Sequence, residues 1–394
     1  MASLHRGTLA SMLCAFLSTA CATQTATSAK PPTAEVRATA GTDVDDTVHR
    51  LMTKAQLPGL AVAIIEDGQV ASLKAYGVRD VSQSAPLRTD TVMYGASLTK
   101  VVFTYLVLQL VDEGVLTLDT PIERYLKKPL PSYPKYADLA ADPRWKQLTA
   151  RMLLSHTAGF PNFRFLNPNG KLDFKFDPGT RYAYSGEGIN LLQFVLEDAG
   201  LGLDVEQEMK RRIFERFGMR RTSMVWRDDF ESNVVTGYDE HGTAQVHKRR
   251  ESVRAAGSMD TTVEDYAKFL SALVRGEGLS ARARAEMLTS QIAISTAHQF
   301  PTLLTETDAR NQDLALSAGL GVVLFRGRAG PAYFKGGHDD WTDNFFLCLE
   351  QGRRCVLLLS NSVKGPQVFP ALAEAILGPT DMPWRWEYNP PPAE

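Results

Sequence analysis

Two strand hairpins, one near each end of the chain, constrain the fold of this sequence more than any other feature. Each consists of two apolar runs around a short turn: 60–65, Asp67-Gly68 and 70–76 near the start, and 345–349, Gln351-Gly352 and 355–359 near the end. Short turns between apolar, β-branched runs predict β-hairpins, whose strands are antiparallel. The most economical arrangement lets the strands from both ends share one antiparallel sheet.

The residues between the hairpins have a different pattern, in which helical stretches are separated by loops rich in Pro and Gly. Helices are predicted in seven segments of the chain: 45–57, 99–113, 189–199, 205–217, 263–275, 281–288 and about 370–377. A further strand is predicted at 321–325. The sequence therefore predicts a mixed α/β protein with an antiparallel sheet flanked by helices, built from residues 44–96 and 319–380. An all-helical domain of residues 97–318 is inserted between these parts, and residues 381–394 form a C-terminal tail.

The first 22 residues have the layout of a secretory signal peptide. A weakly positive start is followed by a short apolar run and by small residues around Cys21. The run is shorter than the ~20 residues that a membrane-spanning helix needs. Residues 23–43, rich in Ala, Thr, Ser and Pro, predict a flexible linker. Two forms of the exported protein stay open: one anchored to the bacterial envelope by a lipid on Cys21, and one released into the periplasm.

The charge balance and the His and Cys residues exclude several classes of function. Lys and Arg total 43 and Asp and Glu total 45, which gives a net charge of −2 and no sign of a nucleic-acid partner. The seven His residues are scattered, without HExxH or CxxC spacing, so no metal or other cofactor is expected. The turn at Gln351-Gly352 places Cys348 opposite Cys355, where a disulfide and two packed thiols are both open.

Ser97 and Lys100 form the first candidate for chemistry, because they have S-x-x-K spacing at the start of the predicted helix 99–113. Residues three apart at a helix start face the same side, so the lysine amine can approach the serine hydroxyl. Serine is a weak nucleophile that needs an adjacent base, and a desolvated lysine can be that base. S-x-x-K alone occurs by chance in many proteins and, taken by itself, is better explained by a helix cap beside a surface lysine.

Tyr184 and the segment Lys335-Gly336-Gly337 are the second and third candidates. A tyrosine at a loop-to-helix junction can relay the serine proton if a cation lowers its pKa. Lys335 supplies a positive charge, and the paired glycines allow a substrate to lie against a strand edge. Taken singly, each has a simpler interpretation, as an aromatic plug between helices or as a glycine turn.

Together and in this order, the three motifs resemble the S-x-x-K, Y-x-N and K-T-G or H-x-G motifs of the serine β-lactamase and penicillin-binding-protein-like family. The similarity is closest to its class C β-lactamase, D-peptidase and esterase branch. Four other segments resemble family motifs as well: Leu116–Pro121, Leu153–Phe160, Phe217–Ser223 and Ala256–Met259. The resemblance covers about residues 45–377 and implies the family fold, with the nucleophile in the cleft between sheet and helical domain.

The resemblance also implies roles for individual residues. Ser97 would be the nucleophile, Lys100 its partner, Tyr184 the base for acylation and Lys335 the cation of the late motif. The oxyanion hole would consist of the backbone N–H of Ser97 and that of a residue after Gly337. His156, in the segment that resembles LL-x-H-T-S-G, is expected to have a packing role.

Two departures from the family pattern affect substrate binding. Gly186 stands where Y-x-N has its Asn, which binds substrate amides, and Gly336 stands where K-T-G has its Thr, whose hydroxyl contacts a substrate carboxylate. Glu187 or Asn190, close to Gly186, could supply a substitute polar contact. His338 is expected to line the cleft mouth, because a Ser-His-Asp triad would need a G-x-S-x-G elbow, which this sequence does not have.

The sequence therefore predicts a serine hydrolase that cleaves small-molecule esters or amides through an acyl-enzyme on Ser97, with an esterase-like preference. Two alternatives stay open. One is a β-lactamase or D-Ala peptidase that acts on β-lactams or cell-wall peptides. The other is a non-catalytic envelope binding protein of the same fold. The natural substrate and the oligomeric state do not follow from the sequence.

Overall fold

A nine-stranded antiparallel sheet is the centre of the computed structural model, which describes residues 40–197 and 199–388. Its strands are β1 Gly59–Glu66, β2 Gln69–Asp80, β3 Ala85–Pro86, β4 Ile292–Ala293, β5 Ser317–Ala318, β6 Val323–Gly327, β7 Gly330–His338, β8 Asp343–Leu349 and β9 Arg354–Ser360. They lie in the order β3-β2-β1-β9-β8-β7-β6-β5-β4. Two short strand pairs lie outside the sheet: Met93–Tyr94 with Asp260–Thr261, and Gly237–Tyr238 with Ala244–Gln245.

The pairing of β1 with β9 joins the two ends of the chain in one sheet, as the sequence predicted. Leu60 lies opposite Ser360, and Ile65 lies opposite Cys355. In the hairpin β8–β9, Cys348 lies opposite Cys355, and the two form a disulfide with their Cα atoms 4.1 Å apart. The predicted antiparallel sheet and the register of this hairpin are therefore confirmed.

The described residues form ten α-helices: α1 Ala40–Ala55, α2 Thr99–Asp112, α3 Ala150–Leu154, α4 Gly186–Leu196, α5 Val205–Met209, α6 Val263–Arg275, α7 Ala281–Met287, α8 Arg310–Asp313, α9 Phe369–Leu377 and α10 Trp384–Tyr388. All seven predicted helices are present among them. The predicted helix 205–217 is divided, because a π-helical turn at Lys210–Phe214 follows α5.

Alternating side chains of the central strands build two cores, one on each face of the sheet. Ala61, Ala63 and Ile65 pack into the core that contains α2 and α6. Leu60 and Val62 point to the other face, where α1, α9 and α10 provide the apolar partners. This two-residue alternation follows from strand geometry, and burial on both faces explains why β1 is apolar from Leu60 to Ile65.

Two of the elements that the sequence did not predict contribute to the site described below. Strand β7, which carries Lys335, is the first of them. The predicted C-terminal tail 381–394 is wrong at 384–388, which form the helix α10 with Trp386 and Glu387 buried. Three aromatic residues in these five positions bury enough apolar surface to hold the segment on the sheet.

The predicted signal peptide, with Cys21, and most of the predicted linker lie outside the described residues, although α1 already begins at Ala40. The chain from Gly41 onward forms one compact unit. None of the helices in the described part of the chain has the length and apolar character needed to cross a membrane.

The disulfide between Cys348 and Cys355 gives a first testable prediction. Without reduction, the proteolytic peptide that contains both residues should be lighter than its reduced form by the mass of two hydrogen atoms. Replacing both cysteines by alanine should lower the free energy of unfolding by about 2 kcal/mol, because the bond closes a short loop in the unfolded chain. Free thiols that react with iodoacetamide in the oxidised protein would contradict the bond.

Candidate active site

Ser97 lies in a tight turn that leads directly into α2. The turn is a single 3₁₀ segment, Ala96–Leu98, and Ala96 has φ of 47°, a left-handed conformation that costs a residue other than Gly about 1–3 kcal/mol. The hydroxyl of Thr99 donates to Ala96 O at 2.5 Å and accepts from Met259 N at 3.2 Å. These contacts hold the strained turn, so the half-buried Ser97 has a fixed position at the start of the helix.

The structure brings the predicted partners of Ser97 together. Lys100 Nζ lies 2.9 Å from Ser97 Oγ, and Tyr184 OH lies 2.7 Å from the same oxygen. Tyr184 is separated from Ser97 by 87 residues and is buried at the N-terminal side of α4. Two side chains that can move protons therefore converge on one hydroxyl.

The amine of Lys100 is held by a second contact that the sequence did not indicate. Besides Ser97, it donates to the carbonyl of Ala256 at 2.5 Å. Two side chains of α4 fix this segment, because Asn190 accepts from Ala256 N at 3.2 Å and Gln193 accepts from Ala255 N at 2.8 Å. The carboxamide oxygen of Asn190 therefore helps to position Ala256, whose carbonyl accepts from Lys100.

Burial sets the protonation of the two groups beside Ser97. Lys100 is completely buried, and this desolvation, together with the positive charge of Lys335, holds its pKa well below the usual range. Burial raises the pKa of Tyr184, and the hydrogen bond to Ser97 opposes this only in part. The free site therefore favours a neutral amine and a protonated phenol.

Two rings pack against the phenol of Tyr184. The ring of His156 lies 4.5 Å from it, and the ring of Phe300 lies 5.5 Å from it on centroids. His156 Nδ1 accepts from Ser185 N at 3.1 Å, and burial lowers the pKa of this histidine, so it packs as a neutral ring. His338 is exposed and packs edge-on against Phe300 at 5.2 Å, at the end of β7.

Lys335 also lies near the ring of Tyr184. Its ammonium is buried 4.9 Å from the ring centroid and donates to Gly336 O at 2.5 Å. Lys100 Nζ lies at the same distance from this centroid. Burial lowers the pKa of Lys335 to about 8, so Lys335 carries the positive charge of the site at neutral pH.

The two glycines after Lys335 allow close packing on both sides of β7. A Cβ on Gly337 would lie 3.1 Å from Ser97 N and 2.9 Å from Leu98 N, so the strand passes directly beside the nucleophile's turn. A Cβ on Gly336 would lie 2.0 Å from a carboxylate oxygen of Glu387. The space beside Gly336 is therefore filled by the protein. Among the described strands, only β8 pairs with β7 beyond Phe334, which leaves one edge of this stretch open.

Glu387 is the residue of the site that sequence reasoning missed. Its carboxylate is buried, accepts a hydrogen bond from the backbone N–H of Gly336, and is hydrogen-bonded to the side chain of Gln299. Burial raises the pKa of Glu387 to about 7, although the charge of Lys335 opposes the shift. The aromatic residues around Glu387 were the only signal in the sequence that this segment is buried.

Gly186 is shielded by an aromatic ring. A Cβ on Gly186 would lie 2.4 Å from Cε1 of Phe163, so the phenyl ring occupies the space that a side chain at position 186 would need. Phe163 stacks on Phe165 at 5.2 Å, and Phe165 is 71% exposed. Beside Tyr184, the aromatic ring of Phe163 therefore takes the place in which the Y-x-N motif would have its polar Asn side chain.

The substitute contacts that we considered from Glu187 and Asn190 are engaged elsewhere. The Glu187 carboxylate accepts from Arg164 Nε at 3.0 Å and from Nη2 at 2.8 Å. Asn190 binds Ala256, as described above. Asn162 is a different polar neighbour: its Oδ1 accepts from Gly186 N at 3.0 Å, and its amide nitrogen has no partner in the part of the chain that the structure describes.

Within residues 40–197 and 199–388, no group of three or more His, Cys, Asp and Glu side chains is arranged to hold a metal ion.

Comparison with known proteins identifies the family. The family model described as Beta-lactamase matches residues 44–378 of this chain. The chain belongs to the β-lactamase family. It is thus a member of the β-lactamase-fold family of serine hydrolases, whose members include esterases, acyltransferases and D-alanine carboxypeptidases. The match ends before α10, so Glu387 lies outside the part of the chain that defines the family.

Individual relatives are distant. The chain is 26% identical over 235 residues to a probable fimbrial assembly protein FimD of Dichelobacter nodosus, which covers 54% of this chain and 56% of that protein. It is 25% identical over 278 residues to lovastatin esterase of Penicillium rubens, covering 60% and 69%. The chain thus spans less than two thirds of FimD.

A solved structure supports the fold. The structure of D-alanine carboxypeptidase AmpC from Burkholderia cenocepacia superimposes with a TM-score of 0.68 at 19% identity, covering 86% of this chain and 99% of that one.

The convergence on Ser97 predicts how three substitutions combine. Ser97→Ala should abolish hydrolysis of an alkyl ester and leave the fold intact. Lys100→Ala and Tyr184→Phe should each lower kcat/KM about a hundred- to ten-thousandfold, the usual range for a positioned acid or base. Because both groups contact the same hydroxyl and serve one proton-transfer sequence, the double variant should be little worse than the poorer single variant. Losses that multiply would show that the two residues act independently.

Proposed function

We propose that the protein hydrolyses esters through an acyl-enzyme on Ser97, and that it prefers esters to β-lactams and peptides. The observation that carries this proposal is the position of Ser97 Oγ, 2.9 Å from a buried amine and 2.7 Å from a phenol. A nucleophile with two proton-transfer groups in contact is what acyl transfer requires. These intact contacts disfavour a purely binding role.

Acylation begins with attack by Ser97 Oγ on the ester carbonyl. The neutral amine of Lys100 accepts the serine proton as the C–O bond forms. Tyr184 then donates its phenolic proton to the leaving alcohol as the old C–O bond breaks, and the ammonium of Lys100 returns a proton to the phenolate. In this assignment Lys100 is the base and Tyr184 is the acid, whereas the family resemblance implied that Tyr184 is the base. The assignment follows from the lowered pKa of Lys100 and the raised pKa of Tyr184.

Deacylation uses the same groups in reverse. A water attacks the acyl carbonyl, the Lys100 and Tyr184 pair takes its proton, and a proton returns to Ser97 Oγ as the acid leaves. The negative oxygen of each tetrahedral intermediate needs preorganised donors. The N–H groups of Ser97 and His338 are our candidates, because β7 passes beside Ser97 N at Gly337.

The preference for esters rests on the wall around Gly186. The ring of Phe163 fills the space in which a polar side chain could bind a substrate amide. A missing hydrogen bond to a buried amide costs about 1–3 kcal/mol, or roughly ten- to a hundredfold in rate. Esters depend less on that contact, and the exposed Phe165 extends an apolar surface for their acyl chains.

Amide or β-lactam cleavage is the second candidate function, and Asn162 favours it. Its free amide nitrogen lies next to Gly186 and could donate to a substrate carbonyl. Asn162, which lies in a loop, would then make the amide contact that the Asn of Y-x-N makes at position 186, the first residue of α4.

The proposal is tested by comparing substrates on one preparation. Purified protein should hydrolyse p-nitrophenyl butyrate with a higher kcat/KM than a chromogenic cephalosporin, and Ser97→Ala should abolish both activities. A faster cephalosporin reaction that falls on Asn162→Ala would favour the second candidate. Ester turnover that survives Ser97→Ala would remove the proposal.

The two proton-transfer roles can be separated by the leaving group. p-Nitrophenolate leaves without a proton, whereas an alkoxide must be protonated. Tyr184→Phe should therefore lower kcat/KM for ethyl butyrate about a hundredfold more than for p-nitrophenyl butyrate. Lys100→Ala should lower both rates to a similar extent. Equal losses for the two esters in Tyr184→Phe would show that the phenol is not the acid.

The role of Phe163 can be tested with position 186. Gly186→Asn alone should not improve cephalosporin turnover, because its Cβ collides with the ring. Adding Gly186→Asn to Phe163→Ala should raise cephalosporin kcat/KM about ten- to a hundredfold over Phe163→Ala alone. A gain of no more than about twofold, less than one such hydrogen bond provides, would contradict our interpretation of the position.

A further inference from the structure

Glu387 brings a buried carboxylate to the strand that carries Lys335, and it comes from a helix beyond the family match. It contacts the backbone of Gly336, and a side chain at position 336 would collide with it. Glu387 therefore occupies its position only because residue 336 has no side chain. Neither the family match nor the mechanism above gives this carboxylate a role.

The charge of the site depends on this carboxylate. Burial and the charge of Lys335 lower the pKa of Lys100, whereas the pKa of Lys335 is about 8, so Lys335 is the cation that an anionic substrate would meet at β7. Glu387, which is hydrogen-bonded to the backbone of the next residue, Gly336, supplies the opposite charge. A substrate carboxylate at this strand would therefore meet little net attraction, and it would be repelled by a second carboxylate in a poorly screened environment.

We propose that Glu387 is a specificity-determining residue: its carboxylate cancels the charge of Lys335, so that the cleft selects uncharged esters over substrates with a carboxylate near the scissile bond. This inference rests on the proposed ester hydrolysis and names its substrate class. It also gives a physical reason for discrimination against β-lactams and C-terminal peptides, which carry such a carboxylate.

The neighbours of Glu387 decide when it is charged. The titratable groups that face it are Lys335 on β7, Asp343 on β8, Tyr182 and Tyr184 before α4, and Tyr388 on its own helix. Burial raises the pKa values of the three tyrosines above their ordinary value, so they are uncharged at neutral pH, and it raises the pKa of Asp343, which disfavours its charged form.

The sign of the pH dependence follows from these groups. Because the pKa of Glu387 is raised to about 7, its charge and the discrimination should grow as the pH rises through neutrality. The pKa of Lys335 is lowered to about 8, so the loss of its charge adds to the discrimination in the same direction at the upper end of this range.

The test uses two aryl esters with one acyl group, 3-carboxyphenyl hippurate and 3-carbamoylphenyl hippurate. They differ in the charge of the leaving group and little in size. The measured quantity is the ratio of kcat/KM for the neutral ester to that for the anionic ester. Both values come from one preparation, so the ratio does not depend on the fraction of folded enzyme.

Glu387→Gln keeps the size of the side chain and removes its charge. In this variant the substrate carboxylate can take the place of Glu387 beside Lys335 and keep that lysine protonated. We expect the ratio to fall at least about fivefold relative to the unsubstituted protein. Glu387→Asp keeps the charge and should keep the ratio, even if its stability falls. Glu350→Gln is the control. Phe345 on β8 lies opposite Gly336, and Glu350 follows the end of that strand, roughly 17 Å from Phe345. Removing this exposed charge should leave the ratio unchanged.

The unsubstituted protein provides a test that needs no variant. Its ratio should rise from about pH 6 to about pH 8, where Glu387 ionises while the substrate carboxylate stays charged throughout. The rise should be smaller in Glu387→Gln. An unchanged ratio in Glu387→Gln, or the same pH dependence in both proteins, would overturn the role of Glu387. Failure to hydrolyse either ester would instead overturn the proposed function.

Discussion

The burial of two lysine side chains around one tyrosine ring is the constraint on which the rest of this structure depends. An amine out of water loses its proton more easily, and a second positive charge nearby strengthens that tendency. Lys100 and Lys335 lie 4.9 Å from the centroid of the Tyr184 ring. Burial, to which the charge of Lys335 adds, favours the neutral form of Lys100, the lysine that contacts Ser97. The carbonyl of Ala256 accepts from Lys100, and the carboxylate of Glu387 accepts from the backbone N–H of Gly336, next to Lys335.

Much of the fold followed from patterns that are local in the sequence. The Asp67-Gly68 and Gln351-Gly352 turns predicted both hairpins and the pairing of Cys348 with Cys355, because turn geometry sets register. The helix at Val263–Arg275 was predicted with its bounds, since it has a Thr N-cap and a Gly at its end. The site followed in part from local spacing, which places Lys100 beside Ser97, and in part from the resemblance of three motifs to a known family.

The rest could not be predicted because it depends on contacts between distant segments. Nothing near Gly186 in the sequence indicates that the ring of Phe163 takes the place of a side chain there. Likewise, Gly336 looked like a site for close approach of a substrate, whereas the structure fills that space with Glu387 from 51 residues later. In both cases a glycine was correctly recognised as a departure from the family pattern. What compensates for it is visible only in three dimensions.

The central claim is that Ser97 is an activated nucleophile, and covalent labelling tests it most directly. A fluorophosphonate probe should modify the protein once, and peptide mass spectrometry should place the adduct on Ser97. Lys100→Ala should label far more slowly, because it keeps the serine and lacks the base, and Ser97→Ala should not be labelled. Labelling of Lys100→Ala at the rate of the unsubstituted protein, or an adduct on another residue, would contradict the account.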